Sequence, residues 1–161
     1  MSRVGIGYDS HRLVAGRPLI IGGVEIEFDR GLDGHSDADV LAHAVTDAVL
    51  GAAGAGDIGS HFPPTDERWK DADSIELLRT VVSGLEGAVV NVDATVICER
   101  PPIGPHRAAI EACLGAAVGA PVSVKATTNE GLGAIGREEG IAAIAVASFD
   151  PAPGSGTGDT Q

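Results

Sequence analysis

The sequence predicts a small α/β protein built as one domain, and three observations carry that reading. Short alternating apolar runs and longer runs of helical period succeed one another along the chain. Apolar residues make up 43% of the 161 residues, enough to close one core of ordinary domain size. Aromatics are only 3% while glycines number 23, so that core has to come from Val, Ile, Leu and Ala between many tight turns.

Val4 to Tyr8 alternates apolar residues with glycine and opens the chain as a strand leading towards His11. Leu19 to Ile26 reads as a hairpin turning at Gly22 and Gly23. Gly31 to Gly34 is expected as a loop. Ser36, Asp37 and Asp39 then supply capping groups and negative charge where a helix begins, and an Ala-, Val- and Leu-rich helix runs on to Gly51 or Gly54. It is apolar on most faces and should be largely buried. Gly56 to Asp73 is a long polar loop, a kind more often functional than idle. Asp73 and Ser74 cap a second helix ending near Leu85. Val89 to Cys98 alternates as a strand and is stopped by Pro101 and Pro102. Pro105 to Val118 carries a helical period closed by Gly119. Val122 to Ala126 is a strand, Thr127 to Gly140 a polar connection, and Ile141 to Phe149 the last strand. Residues 1–149 are thus expected to form the single domain. Residues 150–161, rich in Gly, Pro, Ser and Thr, are expected as a flexible tail.

Asp and Glu number 23 against 11 Lys and Arg, a formal charge of -12. Such a chain repels a phosphate backbone, which argues against nucleic acid as partner but leaves room for a small anion held by metal ions. No apolar run approaches the ~18 residues of a membrane helix, and the first residues lack a signal-peptide pattern. Cys98 and Cys113 have no C-x-x-C spacing and read as reduced, buried thiols of a cytoplasmic protein.

Three groups of residues carry chemistry. Asp9 and His11 are two apart on a strand and point the same way, as one metal would need, although a lone pair of this kind is more commonly a polar strand end facing water. Asp39, His43 and Asp47 are spaced by four, which places them on one helical stripe with His35 just upstream. A histidine in an apolar helix is often a satisfied core group. If His43 faces Asp9 and His11 instead, the site is His₂Asp with an open fourth position, as in catalytic zinc sites, and Asp47 is placed to orient its ring. Lys125 to Glu130 follows a strand with two hydroxyls, backbone N–H groups and an acid, which suits a phosphate with its magnesium as well as it suits an ordinary strand-to-loop junction. Arg137 adds an anion clamp or a solvated surface charge. The pair Gly5 and Gly7 lacks the third glycine of a dinucleotide fingerprint.

Taken in order, these segments resemble the 2-C-methyl-D-erythritol 2,4-cyclodiphosphate synthase family over residues 3–149. The resemblance lies in Gly5 to His11 (GIGYDSH), Ile21 to Val24, Gly34 to Asp39 (GHSDAD) with His43 and Asp47, Gly56 to Gly59, Phe62 to Asp66, Asp71 to Ser74, Asn91 to Asp93, Lys125 to Glu130 and Gly136 to Ile141. It implies an α+β fold with a four-stranded mixed sheet, helices packed on one side, and a homotrimer with its sheets around the three-fold axis and active sites between subunits. It also implies a reaction of non-mevalonate isoprenoid biosynthesis. In 4-diphosphocytidyl-2-C-methyl-D-erythritol 2-phosphate, the 2-phosphate attacks the β-phosphorus, closing a cyclic diphosphate and releasing CMP. That makes the enzyme a phosphorus-oxygen lyase. No activated Ser or Cys is required, since the nucleophile belongs to the substrate; positioning and charge neutralisation lower the barrier.

By that resemblance, Asp9, His11 and His43 hold one Zn²⁺ per subunit, and Glu130 helps hold Mg²⁺ or Mn²⁺ on the diphosphate. His35 and Thr128 match positions that stabilise the transition state. Asp9, His11, His35, Ser36, Asp57, Ile58, Gly59, Phe62, Pro63, Pro64, Thr65, Asp66 and Arg137 match the methylerythritol phosphate side. Cys98, Glu99, Arg100, Pro101, Pro102, Ile103 and Gly104, with Thr127, Thr128, Asn129 and Glu130, match the cytidine and diphosphate side. Pro102 stands where many relatives carry Lys, and Ala134 where they often carry Phe.

Overall fold

The computed structural model describes residues 1–63 and 65–153. Pro64 and most of the expected tail, residues 154–161, lie outside the described residues. The first strand, β1 (Arg3–Ala15), sets the architecture through its alternation. Gly5 and Gly7 are buried on one face, while Val4, Ile6 and Tyr8 are exposed on the other. It pairs antiparallel with the last strand, β7 (Gly140–Pro151), from Arg3↔Phe149 to Arg12↔Gly140. β7 pairs antiparallel with β5 (Gly87–Ile97), and β5 runs parallel to β6 (Val122–Thr127). The parallel pair is joined by a crossover containing helix α4 (Arg107–Val118), as parallel strands require.

The sheet has five strands, not four, because Arg30–Leu32 adds an edge strand, β4, and the order is β4-β1-β7-β5-β6. β1 outlasts its partner: past Arg12, residues Leu13 to Ala15 pair with β4 (Arg30–Leu32). Gly31 therefore lies in an edge strand, not a loop. A Cβ there would meet the Pro18 and Arg17 carbonyl oxygens at 2.2 and 2.4 Å, which is why glycine occupies it. The expected hairpin stands apart as β2 (Leu19–Ile21) and β3 (Val24–Ile26), turning on Gly22 and Gly23, both at positive φ.

The inner face of the sheet is covered by helices. α1 (Val40–Ala53) lies on β1 and β7, α3 (Ser74–Ser83) packs on α1, and α4 on α3 and β6. The core is aliphatic, with Leu41, Val45, Val49, Leu50, Leu78, Ile110, Leu114 and Ile141 fully enclosed. The long polar stretch after Gly56 contains a short helix, α2 (Ile58–His61), and a 3-10 turn over Glu67–Trp69. The connection after Thr127 contains a one-turn helix, α5 (Gly133–Gly136). β7 runs on to Pro151, two residues past the expected domain end, because Ala88 and Gly87 offer it partners. Among the described residues no helix is long and apolar enough to cross a membrane, and Cys98 and Cys113 are free.

Candidate active site

Glycines in β1 bring the strand and α1 into direct contact. A Cβ on Gly7 would sit 1.9 Å from the Ala44 carbonyl oxygen, and one on Gly5 2.2 Å from that of Ala48. Two strand residues advance about 6.6 Å and four helical residues about 6 Å, so the two backbones stay in step. The next inward residue of β1 after Gly7 is Asp9, and one position before Ala44 stands His43. They meet: His43 Nδ1 lies 3.0 Å from Asp9 Oδ2. His11, two residues further along the same face, places Nε2 2.9 Å from Asp9 Oδ2 and 3.2 Å from His43 Nδ1. Among the described residues this is the group able to hold a metal ion.

Proton accounting shows that the three atoms fit a cation. His11 Nδ1 lies 2.7 Å from the Asp33 carbonyl oxygen, which can only accept, so the neutral ring carries its proton there and turns the lone pair of Nε2 inward. His43 Nε2 lies 2.9 Å from Ser74 Oγ and 3.1 Å from Ser36 Oγ, while its Nδ1 faces the cluster. Ionised Asp9 only accepts. Three lone pairs thus converge on one point, the donor set of a zinc site that keeps one position for a ligand. In the metal-free site burial opposes the charge on Asp9, but the adjoining His11 and His43 rings outweigh it and hold the carboxyl down to about 2. His11 moves the other way: burial favours the neutral ring, yet Asp9 raises its pKa above the ordinary histidine value.

Neither flanking aspartate of the expected stripe joins the cluster. Asp39 is fully buried as the N-cap of α1 and accepts from Leu41, Ala42, Gly22 and Gly23 N–H groups, so it ties the hairpin turn to the helix. Asp47 does not orient His43; its Oδ1 accepts from Ile58 N at 2.8 Å and fixes the start of α2. Burial raises the Asp47 pKa.

Next to the cluster is a cavity of about 250 Å³ lined by His11, His35, Ser36, His43, Ile58, Gly59, Phe62, Trp69 and Leu77. Phe62 and Trp69 meet edge to face at 4.9 Å. The loop carrying His35 is clamped. Arg17 donates to the Gly34 and Ser36 carbonyls at 2.9 and 2.8 Å, bracketing His35. His35 Nε2 reaches the Asp66 carbonyl at 3.3 Å, and its own carbonyl accepts from Asp71 N. Asp57 caps α2 through Ser60, and Asp66 pairs with Arg68 at 2.6 Å. Asp57, Asp66, Pro63 and Thr65 do not line the cavity, and Pro64 lies outside the described residues.

A second cavity, of about 320 Å³, is lined by Cys98, Glu99, Pro101, Pro102, Ile103, Ala126, Thr127 and Thr128. Glu99 organises its rim: Oε1 accepts from Asn129 N at 2.8 Å and Gly131 N at 3.3 Å. Thr128 Oγ1 donates to Glu130 Oε1 at 3.2 Å. Burial, with the charge of Glu99, pushes the Cys98 thiol up to about 11, so it serves as packing. Arg100 is engaged by Glu138 at 2.6 Å and Arg137 by Glu139 at 2.7 Å, and neither lines either cavity. Gly104 opens a 3-10 turn beyond the cavity wall. Register places the two cavities at one end of the sheet: His11 pairs with Ile141, Ala142 with Ile97, and Ile97 with Thr127. Three strand spacings separate His11 from Thr127, about 14 Å. Glu130 therefore does not join the Asp9, His11 and His43 cluster within one chain.

The model of the YgbB family matches residues 2–150. The chain belongs to the YgbB family. It is 61% identical over 150 residues to the 2-C-methyl-D-erythritol 2,4-cyclodiphosphate synthase of Symbiobacterium thermophilum, covering 89% of this chain and 96% of that one. It is 58% identical over 156 residues to the synthase of the same name from Salinibacter ruber, covering 93% and 99%. Its fold is similar to that of the bifunctional IspDF from Campylobacter jejuni, with a TM-score of 0.89 and 39% identity over 94% of this chain; it spans 42% of that protein. It is also similar to a CDP complex of IspF from Plasmodium falciparum, with a TM-score of 0.80 and 31% identity, covering 94% and 97% of the two chains.

Within this YgbB chain, sequence reading missed the groups that hold the site rather than those that form it. Arg17, Asp33, Asp37 and Ser74 act on the site through hydrogen bonds from other segments, and Trp69 and Leu77 wall the cavity. None of them stands at a diagnostic spacing, so only their placement reveals them. The visible signals were the polar runs from Gly34 to Asp39 and from Asp71 to Ser74.

Proposed function

We propose that this chain converts 4-diphosphocytidyl-2-C-methyl-D-erythritol 2-phosphate to 2-C-methyl-D-erythritol 2,4-cyclodiphosphate and CMP, as a phosphorus-oxygen lyase of non-mevalonate isoprenoid synthesis. The observation that carries this reading is the convergence of three lone pairs from Asp9, His11 and His43 beside a cavity that also holds His35 and Ser36. Asp9, His11 and His43 would hold Zn²⁺, which when bound supplies positive charge to the phosphate under attack. Glu130, beside Thr128, would share Mg²⁺ or Mn²⁺ with the diphosphate itself, since one exposed carboxylate is too few ligands for a hard cation.

The chain's own groups position two anions against each other. His35, bracketed by Arg17 and tied to Asp66, directs a ring edge to the phosphate of the erythritol. The cavity walls Ile58, Phe62, Trp69 and Leu77 take its carbon skeleton and exclude water, which would otherwise compete with the 2-phosphate. The Pro101 to Ile103 turn and the Thr127 and Thr128 hydroxyls would receive cytidine and diphosphate.

The about 14 Å between the halves within one chain favours a site completed by a neighbouring copy. An uncovered apolar sheet face supports the expected homotrimer: Val4, Ile6 and Tyr8 are 69%, 70% and 60% exposed, beside half-exposed Ile144 and Val146. The two free thiols fit the reducing cytoplasm.

The test mixes purified protein with the diphosphocytidyl substrate in ¹⁸O water, with and without chelator. The expected result is repeated CMP release that chelator stops, with a cyclic product free of ¹⁸O. A linear product labelled from solvent overturns the cyclase reading in favour of a phosphohydrolase.

A further inference from the structure

Ser74 is the first residue of α3 and is 99% enclosed, with 1% exposure. Both of its donors go to one carboxylate: Ser74 N donates to Asp37 Oδ2 at 3.0 Å, and Ser74 Oγ donates to Asp37 Oδ1. Asp37 is itself fixed, since Oδ1 also accepts from Asp39 N at 3.1 Å at the entrance to α1. An ionised carboxylate cannot return a proton, so the Ser74 hydroxyl keeps only lone pairs for its other neighbour. That neighbour is His43 Nε2, 2.9 Å away. Ser36 Oγ, 3.1 Å from the same nitrogen, accepts from Ala38 N and lies 3.5 Å from Ser74 Oγ, toward which its own proton can turn; no carboxylate fixes that proton, so Ser74 is the group that sets the tautomer.

We propose that Asp37 and Ser74 are positioning residues that lock the proton of His43 on Nε2 and thereby assign Nδ1 as the atom offered to the cation. This rests on the reading of Asp9, His11 and His43 as a metal centre. The device joins the starts of α1 and α3, two helices whose relative position no local sequence rule sets. It makes the metal centre depend on helix packing: if α3 moves, His43 loses its fixed tautomer and both nitrogens compete for the proton. A metal-bound imidazole whose second nitrogen donates to an acceptor is more basic and fixed in orientation, and losing such a partner typically weakens metal affinity about 10- to 100-fold.

The experiment has two readouts that do not use turnover. The first is the ¹⁵N shifts and two-bond couplings of His43 in full-length, metal-free protein at pH 8, which identify the protonated ring nitrogen. The second is Zn²⁺ affinity by competition with a chromogenic chelator. The Asp9 carboxylate, 3.0 Å from His43 Nδ1, is the competing acceptor in the metal-free site, and against it the parent protein should still show a single Nε2–H form of His43. Ser74→Ala should give a mixture of tautomers and Zn²⁺ binding weakened about 10- to 100-fold, and Ser74→Thr, which keeps the hydroxyl, should restore both to within about threefold. Asp37→Asn, which retains Ser74 but removes the obligate acceptor, should also mix the tautomers; it decides the matter if Ser74→Ala does not fold. A purely structural role for Ser74 would lower the melting temperature and leave tautomer and affinity alone. The proposal is overturned if the parent carries the proton on Nδ1, or if Ser74→Ala keeps the pure Nε2–H form. It is equally overturned if Zn²⁺ affinity in Ser74→Ala stays within about twofold of the parent, well short of the loss typical of a removed partner. A parent that takes up no Zn²⁺ sinks the metal reading instead, while the tautomer comparison still decides the role of Ser74.

Discussion

Gly7 lies directly beneath Ala44, so close that a methyl group on Gly7 would sit 1.9 Å from the Ala44 carbonyl oxygen. This approach carries His43 to Asp9. Replacing Gly7 with Ala should push α1 away from β1, lowering stability by about 1–3 kcal/mol as overpacking usually does. It should weaken metal binding more than the loss of fold explains. Chemical denaturation with Zn²⁺ titration checks both; unchanged affinity would show that the helix tolerates the methyl group without moving.

His43→Ala removes one of the three proposed zinc ligands and should abolish turnover with the fold retained. Circular dichroism should match the parent while bound zinc and CMP release are lost. Near-normal activity at full zinc content contradicts the assignment.

Acid should strip the metal. In the metal-free protein Asp9 is held at about 2 and His11 lies above its ordinary 6.5, each stabilised by the other. A depressed carboxylate contributes stability above its ordinary 3.8 that is lost as pH falls through about 2. A raised histidine contributes below 6.5 and loses it as pH rises through its folded value. The metal-free fold therefore gains most from the pair between those two ordinary values. Metal needs the His11 lone pair, so affinity should rise with pH below the His11 pKa, roughly tenfold per pH unit for one released proton. Competition titrations at successive pH values test this; a flat profile rules it out.

Arg17 spans the carbonyls on either side of His35. Arg17→Ala should loosen that loop, lowering kcat several-fold while Zn²⁺ affinity holds, because none of its bonds touches Asp9, His11 or His43. Parallel loss of zinc would place Arg17 in the metal site's support instead.

Glu130 stands apart from the His₂Asp cluster. Glu130→Gln should therefore raise the Mg²⁺ concentration required for half-maximal rate and leave zinc content unchanged. An unaltered Mg²⁺ titration refutes its role.

Much of this protein was legible from its chain. Alternation and capping placed the hairpin at Gly22 and Gly23, the helix begun by Asp39, the helix begun by Asp73, and the strands after Val89 and Val122, because those signals act within a few residues. The donor set of Asp9, His11 and His43 was also legible, since same-face spacing selects two of its members. Other features were decided only in three dimensions. The edge strand at Gly31 exists because β1 outruns β7, a fact of pairing partners and not of local propensity. Asp39 and Asp47 share a spacing with His43 but face a hairpin turn and the start of α2, since buried N–H groups there demanded acceptors. The sequence by itself determined which residue types could bind a cation and an anion. Only tertiary structure decided that Ser74 and Asp37 hold His43, and that the Glu130 loop lies three strands away, because hydrogen bonds between distant segments follow packing and no periodicity along the chain records them.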